Sequence, residues 1–404
     1  MLAEFRAGAN AEEIDAFLNA FDHHSEFYRD NYFNVIERLA ERRIRALRTT
    51  AWDNGYSIVT SYDMVRKVTD RPDLFTNEFG YRVVPKTVMP LMAPTDLDGE
   101  AHARMRKALN PWFSPANILR YRETVLADIE RITVDLRQRG EWDWAADFAQ
   151  PVTARVTMRL LGLPEEEWSE YALPIHNAAF CIGSVESRIE GASQFGRKVH
   201  EEVARLAQDP EGPGLICHLA RTDFDGYRFS TEDIERCVLN IIIGGLDTTQ
   251  ATFSCAAVYL GRNPDRRQEL RDNPDLVRTA TLEFLRVFAS APMTGRYNAE
   301  DVEIDGFRFP KGEATLIFWP AANFDPAFLG AATEMDFTRS GARSVTFAAG
   351  PHRCLGQHLS RMELEAMIGT LANSDYELVE SGVEPAGNIS AALAYLHVPV
   401  RSKQ

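Results

Sequence analysis

The stretch Phe347-Ala-Ala-Gly-Pro-His-Arg-Cys-Leu-Gly-Gln-His-Leu-Ser-Arg361 places a single cysteine, Cys354, after a Gly-Pro turn and at the start of an amphipathic helix. Gly350 can adopt a positive φ and so bring backbone N–H groups near the sulfur. The positive end of the helix dipole favours a thiolate over a thiol at this position. Gly356 lets a flat, bulky group lie close to the helix. The pattern therefore predicts one axial bond from the sulfur to the metal of a planar cofactor such as haem.

A lone buried cysteine is more often an inert core residue than a ligand. Here Phe347, Gly350, His352 and Gly356 all fit a ligand site together, which favours a ligand. Their spacing around Cys354 resembles the haem-binding loop of the cytochrome P-450 monooxygenases. The resemblance implies that Cys354 binds the iron of haem b and that Phe347, His352 and Gly356 contact the cofactor. It also implies a mainly α fold with small β-sheets, in which a buried central helix lies over the haem.

A second motif, Gly244-Gly-Leu-Asp-Thr-Thr249, lies in the middle of a long apolar helix. A glycine inside a helix costs about 1 kcal/mol relative to alanine, so the pair needs a compensating role. Without a Cβ at Gly244, the cofactor or a ligand can approach the backbone, and the helix can open locally. Asp247 and Thr248 then suit proton delivery to bound dioxygen. The alternative is a helix crossing whose threonine bonds its own helix; the resemblance, closest to the bacterial camphor-hydroxylase branch, favours the catalytic pair.

Two further sets of charged residues follow from the resemblance. Glu283-Phe-Leu-Arg286 places a carboxylate and a guanidinium on one helix face, among apolar neighbours that make a buried pair plausible. In the family this pair fixes the loop before the cysteine together with a later arginine, for which Arg339 is the candidate. These three residues are structural by this interpretation, not catalytic.

The second set concerns the haem propionates. The resemblance implies that His102, Arg106, Arg296 and His352 reach them. His102 and Arg106 are spaced i, i+4 and share a helix face. Two carboxylates inside a protein need paired cations. Each of the four residues taken alone fits ordinary surface charge, so the prediction depends on the set.

We expect an apolar substrate pocket over the haem. Relatives line it at positions that are apolar here: Val88, Met89, Leu91, Met92, Leu246 and Met293. Methionine suits an irregular apolar ligand, although core packing explains each residue equally well. The segment Val88-Met-Pro-Leu-Met92 lacks the aromatic hydroxyl that the camphor enzyme offers its substrate. Ala348 and Ala349 also depart from the family's glycine, and Phe324 stands where the family has an arginine.

Composition excludes several classes of protein. The chain has 404 residues, 45% of them hydrophobic, and a formal net charge of −15. No block of clustered Lys and Arg is present, which argues against nucleic acid as a partner. Five widely spaced cysteines without a C-x-x-C pair fit free thiols in the cytoplasm. The apolar segment 237–261 is long enough to span a bilayer, but Asp247 at its centre predicts a helix buried in protein, and we expect no membrane anchor.

Periodicity predicts a helical body with small sheets. Helices are predicted over Ala11–Phe21, Tyr32–Leu47, Ala101–Asn110, Ile118–Arg139, Glu201–Ala207, Thr231–Gly261, Pro274–Phe288 and Leu355–Leu371. The long helix over the motif at Gly244 opens with a capping box at Ser230 and Asp233. Strands are predicted over Tyr56–Thr60, Thr315–Phe318 and the alternating tail, with a hairpin turning at Asp305-Gly306. Distant strands should pair, which favours one domain over residues 1–404 and argues against a doubly wound fold.

These features predict a haem-thiolate monooxygenase that inserts one oxygen atom from O2 into a mainly apolar small molecule. The chain shows no fused flavin or iron–sulfur domain, so we expect electrons from an external acidic ferredoxin and its reductase. Basic residues near the haem loop would attract it; the candidates are Arg104, Lys107, Arg343, Arg353 and Arg361. Two alternatives remain open: a peroxide-driven peroxygenase and a non-enzymatic haem sensor or carrier.

Overall fold

The structure is a computed structural model that describes residues 8–51, 55–78, 91–209, 211–224, 226–329, 334–339, 344–387, 389 and 392–403. It is mainly helical. The helices are α1 (Ala11–Asn19), α2 (Glu26–Asp30), α3 (Tyr32–Glu41), α4 (Tyr62–Thr69), α5 (Gly99–Leu109), α6 (Pro115–Ile118), α7 (Arg122–Arg139), α8 (Gln150–Leu161), α9 (Trp168–Ala179), α10 (Val185–Leu206), α11 (Gly214–Arg221), α12 (Thr231–Arg262), α13 (Pro264–Asp272), α14 (Leu276–Val287), α15 (Trp319–Asn323), α16 (Pro326–Leu329) and α17 (Gln357–Ala372).

The strands are short and join distant parts of the chain. They are β1 (Ala46–Thr49), β2 (Tyr56–Val59), β3 (Phe75–Thr76), β4 (Glu141–Asp143), β5 (Met293–Asn298), β6 (Val302–Ile304), β7 (Phe307–Phe309), β8 (Ala314–Phe318), β9 (Tyr376–Leu378), β10 (Glu384–Pro385), β11 (Tyr395–His397) and β12 (Pro399–Ser402). Within the described ranges they form a five-stranded sheet in the order β1-β2-β8-β5-β3, a three-stranded sheet β4-β12-β9 and two hairpin-sized sheets.

Pairing of distant strands agrees with the sequence prediction. β2 runs parallel to β8, with Tyr56 opposite Ala314, and β12 pairs with β4, with Val400 opposite Trp142. The hairpin β6-β7 turns where the sequence predicts, because Asp305 and Gly306 both adopt positive φ. A single domain over the whole chain stays a prediction.

One predicted helix is too long. α3 ends at Glu41, and the residues up to Leu47 do not continue it. Arg43 adopts φ 51°, which stops the helix, and Ala46–Thr49 instead forms β1 against β2. The apolar residues of this segment therefore belong to an edge strand of the sheet. A helical pattern in the sequence alone does not predict this strand.

Helix α12 passes through the centre of the molecule and is continuous from Thr231 to Arg262. Its capping box at Ser230 and Asp233 is present, as predicted. The expected local opening at the glycine pair is absent in this part of the helix, since every residue there is helical. No helix of the described ranges, α12 included, is both long and apolar enough to cross a membrane.

Candidate active site

A cavity of about 280 Å³ lies between α12 and the segment that leads into α17. Cys354 and Gly356 lie on one wall, and Gly244 and Thr248 lie on the wall formed by α12. The lining combines apolar side chains from several helices with basic side chains at one edge. The residues at that edge are His102, Arg106, Arg296 and His352, whose charges act on one another, and Arg353 also lines the cavity.

The turn before Cys354 is held by backbone contacts. The Cys354 N–H donates to the Phe347 carbonyl at 2.8 Å, which closes the loop. Gly350 has φ 70°, and a Cβ there would collide with the carbonyl oxygen of Thr69, so only glycine fits. Ala348 also adopts a positive φ of 59°, which strains this loop because alanine carries a Cβ.

Cys354 is partly accessible, although it lies deep in the fold. Burial raises the pKa of its thiol, and the Gly356 backbone N–H together with nearby Arg106, Arg353 and Arg361 lowers it. The outcome differs from the expectation that the helix end alone favours a thiolate: burial is the larger influence. A metal cation on the sulfur would supply the missing compensation.

Two glycines leave room for a flat group between the cavity walls. A Cβ built on Gly244 or on Gly356 meets no atom within 4 Å, and both residues line the cavity. The neighbouring Gly245 has a different role, since its Cβ would lie 2.9 Å from Thr157 Oγ1 on α8. The glycine pair therefore lets α12 approach α8 on one side and leaves the cavity side open.

The basic edge of the cavity has more positive than negative charge. The rings of His102 and His352 lie with their centroids 4.1 Å apart and their planes tilted by 35°, and His352 Nε2 lies 2.9 Å from Asp98 Oδ1. Arg106 makes no ion pair with any residue that the structure describes. Burial lowers the pKa of His102 to about 4 and that of Arg296 to about 10. A ligand with two carboxylates would offset this cost, so the donor set fits haem propionates.

Asp247 and Thr248 point in different directions from α12. Thr248 lines the cavity, and its Oγ1 donates to the Gly244 carbonyl at 2.7 Å. Asp247 lies outside the lining, where its Oδ1 lies 2.8 Å from Nδ1 of His176 on α9. The sequence did not indicate His176, because the pairing joins residues 71 positions apart.

The Glu283–Arg286 pair is fully buried. Glu283 Oε1 lies 2.7 Å from Arg286 Nη2, and both side chains are 0% exposed. Arg339 Nε lies 3.4 Å from the same carboxylate. Phe324, which replaces the family's arginine, places its ring 4.9 Å from the Arg286 guanidinium as a cation–π partner.

The comparison with known families decides the identity. The family model described as "Cytochrome P450" matches residues 165–377. The chain belongs to the cytochrome P450 family. Its fold is that of solved P450 structures: the crystal structure of CalO2 aligns with a TM-score of 0.84 at 23% identity, over 95% of this chain and 99% of that one.

Curated relatives of this P450 are monooxygenases. A steroid C26-monooxygenase of Mycobacterium tuberculosis is 28% identical over 337 residues, which cover 82% of this chain and 84% of that protein. A vitamin D(3) 25-hydroxylase of Pseudonocardia autotrophica is 30% identical over 296 residues, which cover 71% and 70%. The protein is accordingly a P450 monooxygenase, a haem enzyme that uses O2, an organic substrate and redox partner proteins.

A residue that sequence reasoning missed connects α14 of this P450 to the cysteine loop. Asn323 Nδ2 donates to the Arg286 carbonyl at 3.0 Å and to Thr346 Oγ1 at 2.8 Å. Its Oδ1 accepts from the Val345 N–H at 2.7 Å. Asn323 therefore connects Arg286 of the buried ion pair, through hydrogen bonds, to the residues just before Phe347.

The residues predicted to line the substrate pocket lie in different places. Leu91 is 43% exposed, whereas Met92, Leu246 and Met293 are buried; none of these four lies among the described residues that line the cavity. Val88 and Met89 lie outside the described residues, as does Arg343 of the predicted basic surface. The apolar lining that the structure describes comes from other side chains, among them Phe113, Leu160, Ile241 and Ala291.

Proposed function

We propose that the cofactor is haem b, bound through the thiolate of Cys354, and that the P450 oxidises a mainly apolar small molecule. One observation carries this proposal: Cys354 opens onto a cavity whose opposite wall is Gly244 and Thr248. Haem bound there supplies the activation of O2 at its iron, with electron density from the thiolate. Gly356 and Gly244 leave space for its two faces.

The protein's own residues orient the cofactor and move protons. Arg106, Arg296, His102 and His352 hold the propionates at one edge, where the chain itself supplies few carboxylates. Thr248 Oγ1 holds a proton at the cavity wall, and Asp247 exchanges protons with it from outside the cavity. The Thr248 hydroxyl donates its hydrogen bond to the Gly244 carbonyl in this structure. This hydrogen bond must therefore break before the hydroxyl can donate its proton into the cavity.

The substrate we propose is an apolar, terpenoid-like or related specialised metabolite. The side chains of Phe113, Leu160, Ile241 and Ala291 contribute an apolar lining to the cavity. Relatives named for a steroid and for vitamin D(3) support this class, as does a linalool 8-monooxygenase of Pseudomonas putida. Hydroxylation is the reaction proposed.

An acidic iron–sulfur ferredoxin is the electron donor we propose. Burial is the main cause that lowers the pKa of the partly buried Arg361, and the charges of exposed Arg353 and of Arg278 lower it further. Exposed Arg122 and Arg278 lie near the same helix, since both act on Glu365. Arg353 and Arg361 lie near Cys354, and Arg122 and Arg278 extend the basic cluster along α17 to Glu365. In a chain of net charge −15, such a cluster favours an acidic partner.

Arg104, also predicted for this surface, is paired with Glu100 at 2.9 Å. The cluster around Arg361 is therefore the better candidate for the docking surface. Reduction by a ferredoxin should slow with added salt, and more so for the wild type than for Arg278→Gln. A rate that ignores salt would contradict the acidic partner.

The central test is the spectrum of the reduced protein with carbon monoxide. We expect the Soret band of a thiolate-ligated haem in the wild type and its loss in Cys354→Ala. Cys181→Ala is the matched control, because Cys181 is an exposed free thiol. A spectrum typical of imidazole ligation in the intact protein would overturn the proposal. Product formed with peroxide alone, and none with ferredoxin and reductase, would instead identify a peroxygenase.

A screen of apolar ligands by the optical spin-state shift, followed by product analysis, tests the substrate class. Terpenoids and steroids should shift the spectrum, and Ile241→Trp should weaken their binding by filling the cavity wall. Binding only of strongly polar ligands would contradict the proposed class.

A further inference from the structure

A polar pair lies in the cavity wall, where the sequence of α12 is otherwise apolar. Thr95 Oγ1 donates to Oδ1 of Asn240 at 2.9 Å, and both residues line the cavity. Asn240 interrupts the apolar run Val238-Leu-Asn-Ile-Ile-Ile243. Asparagine is a poorer helix former than leucine, so its presence here calls for a role other than forming the helix.

Asn240 lies on the face of α12 that carries the proposed oxidation site. Asn240, Gly244 and Thr248 follow one another at i, i+4 spacing, so they share one face of the helix. All three line the cavity. The rise of a helix places Asn240 about 6 Å along the axis from Gly244 and about 12 Å from Thr248. A ligand group at Asn240 therefore belongs to a different part of the molecule from an atom beside Thr248.

The pair leaves hydrogen-bond donors open to the cavity. Because Thr95 bonds the amide oxygen, Nδ2 of Asn240 keeps its two N–H donors. Nδ2 makes no hydrogen bond with the part of the chain that the structure describes. The Thr248 and Thr252 hydroxyls of the same lining instead donate to main-chain carbonyls. Asn240 thus offers a ligand the donors that these two hydroxyls do not.

Thr95 is itself held by the turn before α5. The Met92 N–H donates to Asp96 Oδ2 at 2.8 Å, and the Asp96 N–H donates to the Met92 carbonyl at 2.8 Å. The Ala93 N–H donates to the Arg236 carbonyl at 3.3 Å, which connects the turn to α12. The amide donor is therefore oriented before a ligand arrives, and a preorganised donor loses little conformational entropy on binding.

We propose that Asn240, oriented by Thr95, is a specificity-determining residue that binds a carbonyl or hydroxyl oxygen of an otherwise apolar substrate. The inference rests on the proposed function and narrows its substrate class to apolar molecules with an oxygen group away from the carbon that is oxidised. A hydrocarbon of the same shape leaves the amide without a partner, which weakens its binding. The bound oxygen also determines which carbon lies beside Thr248.

Optical titration of the ferric holoenzyme with matched ligands tests the inference without turnover. The probes are menthone against menthane and cholestanone against cholestane, since each ketone has the carbon skeleton of its hydrocarbon. The measured quantity is the Kd of the hydrocarbon divided by the Kd of the ketone. We expect this ratio to fall by about three- to tenfold in Asn240→Leu. Ketones should bind more weakly and hydrocarbons more tightly, because leucine keeps the volume and removes the unpaired amide.

Further variants distinguish recognition of the oxygen from a general change of the cavity. Asn240→Asp replaces the N–H donors by an oxygen at the same place and should abolish the preference for ketones. Thr95→Val removes the hydroxyl that orients the amide and should lower the ratio, whereas Thr95→Ser keeps the hydroxyl and should restore it. Asn177→Leu is the matched control and should keep the wild-type ratio, because Asn177 is a partly buried asparagine of α9 outside the described lining.

Two results would overturn the inference: an equal ratio in the wild type and Asn240→Leu for both pairs of probes, or a ketone preference that persists in Asn240→Asp. The carbon monoxide spectrum of each variant reports on Cys354 and does not depend on Asn240. A normal spectrum with an unchanged ratio contradicts this inference alone. A wild type that binds none of the probes contradicts the apolar substrate class, and the inference with it.

Discussion

His176 Nδ1 lies 2.8 Å from Asp247 Oδ1, and both side chains are 10% exposed. The pair joins α9 to α12 just outside the cavity. Nε2 of His176 makes no hydrogen bond with the part of the chain that the structure describes. The acid of the proposed proton path is therefore held away from the cavity by a hydrogen bond to a side chain of another helix.

Replacing His176 should distinguish its role in positioning Asp247 from its role in stabilising the fold. His176→Phe removes the partner of a buried carboxylate, so we expect a loss of about 1–3 kcal/mol in the free energy of unfolding. It should also lower the product formed per reductant consumed. His176→Asn keeps a donor at the position of Nδ1 and should restore most of the stability. Equal stability and equal coupling in His176→Phe would show that the contact has no role.

Thr248→Ala should uncouple reductant consumption from product formation, because it removes the only hydroxyl of the Asp247–Thr248 pair. Thr133→Ala is the control, since its Oγ1 makes the same bond to the carbonyl four residues back, at 2.7 Å, on α7. The two measurements are product yield and hydrogen peroxide release. Full coupling in Thr248→Ala would remove this residue from the proton path.

Arg106→Gln and Arg296→Gln should each weaken haem retention by roughly tenfold or more, because each removes a charge-assisted hydrogen bond to a propionate. Transfer of haem to apomyoglobin measures the rate of loss. Arg104→Gln lies on the same helix as Arg106 but is paired with Glu100, and it should retain haem normally. Equal rates in all three variants would contradict the propionate assignment.

Glu283→Ala should destabilise the fold by about 3–5 kcal/mol, since it leaves Arg286 buried without its carboxylate. The loop held by Asn323 should loosen with it, so haem should also be lost faster. Glu380→Ala breaks an exposed pair with Arg262, 3.0 Å long, and should cost less than about 1 kcal/mol. Chemical unfolding measures both, and a small loss in Glu283→Ala would refute the structural role.

Stability should depend on pH through Glu363. Its pKa is raised in the folded state, so the folded protein keeps a proton that the unfolded chain releases above its ordinary value of 4.5. The stabilisation is complete below that pH and is lost as the pH rises. Relative to Glu363→Gln, the wild type should lose up to about 1.4 kcal/mol per pH unit. Urea unfolding between about pH 5 and about pH 8 measures the difference, and a constant difference would contradict the raised pKa.

Local sequence predicted the parts of the site that depend on local geometry. The turn at Gly350, the capping box at Ser230 and the hairpin at Gly306 each follow from residues within a few positions of one another. The Glu283–Arg286 pair is also within one helical turn. The family resemblance then predicted that motifs distant in the sequence share one cavity, which periodicity alone could not predict.

Contacts between distant segments could not be predicted from local sequence in the same way. His176 contacts Asp247 from another helix, and Asn323 contacts Thr346 from the end of α15. Glu363 is an ordinary helical glutamate in the sequence, and only its burial in the fold raises its pKa. Leu91, Met92, Leu246 and Met293 lie outside the described lining for a related reason, because which apolar residue faces a cavity depends on how the elements that carry it pack in the core.

Consecutive residues on an α-helix are turned by about 100° from one another. The rotational setting of α12 therefore decides which of its neighbours faces the cofactor, and Gly244 and Gly245 fix that setting from opposite sides. Inserting one alanine ahead of them would swing the aspartate and the two threonines around the axis together. Such a chain would keep these three side chains and misdirect all of them.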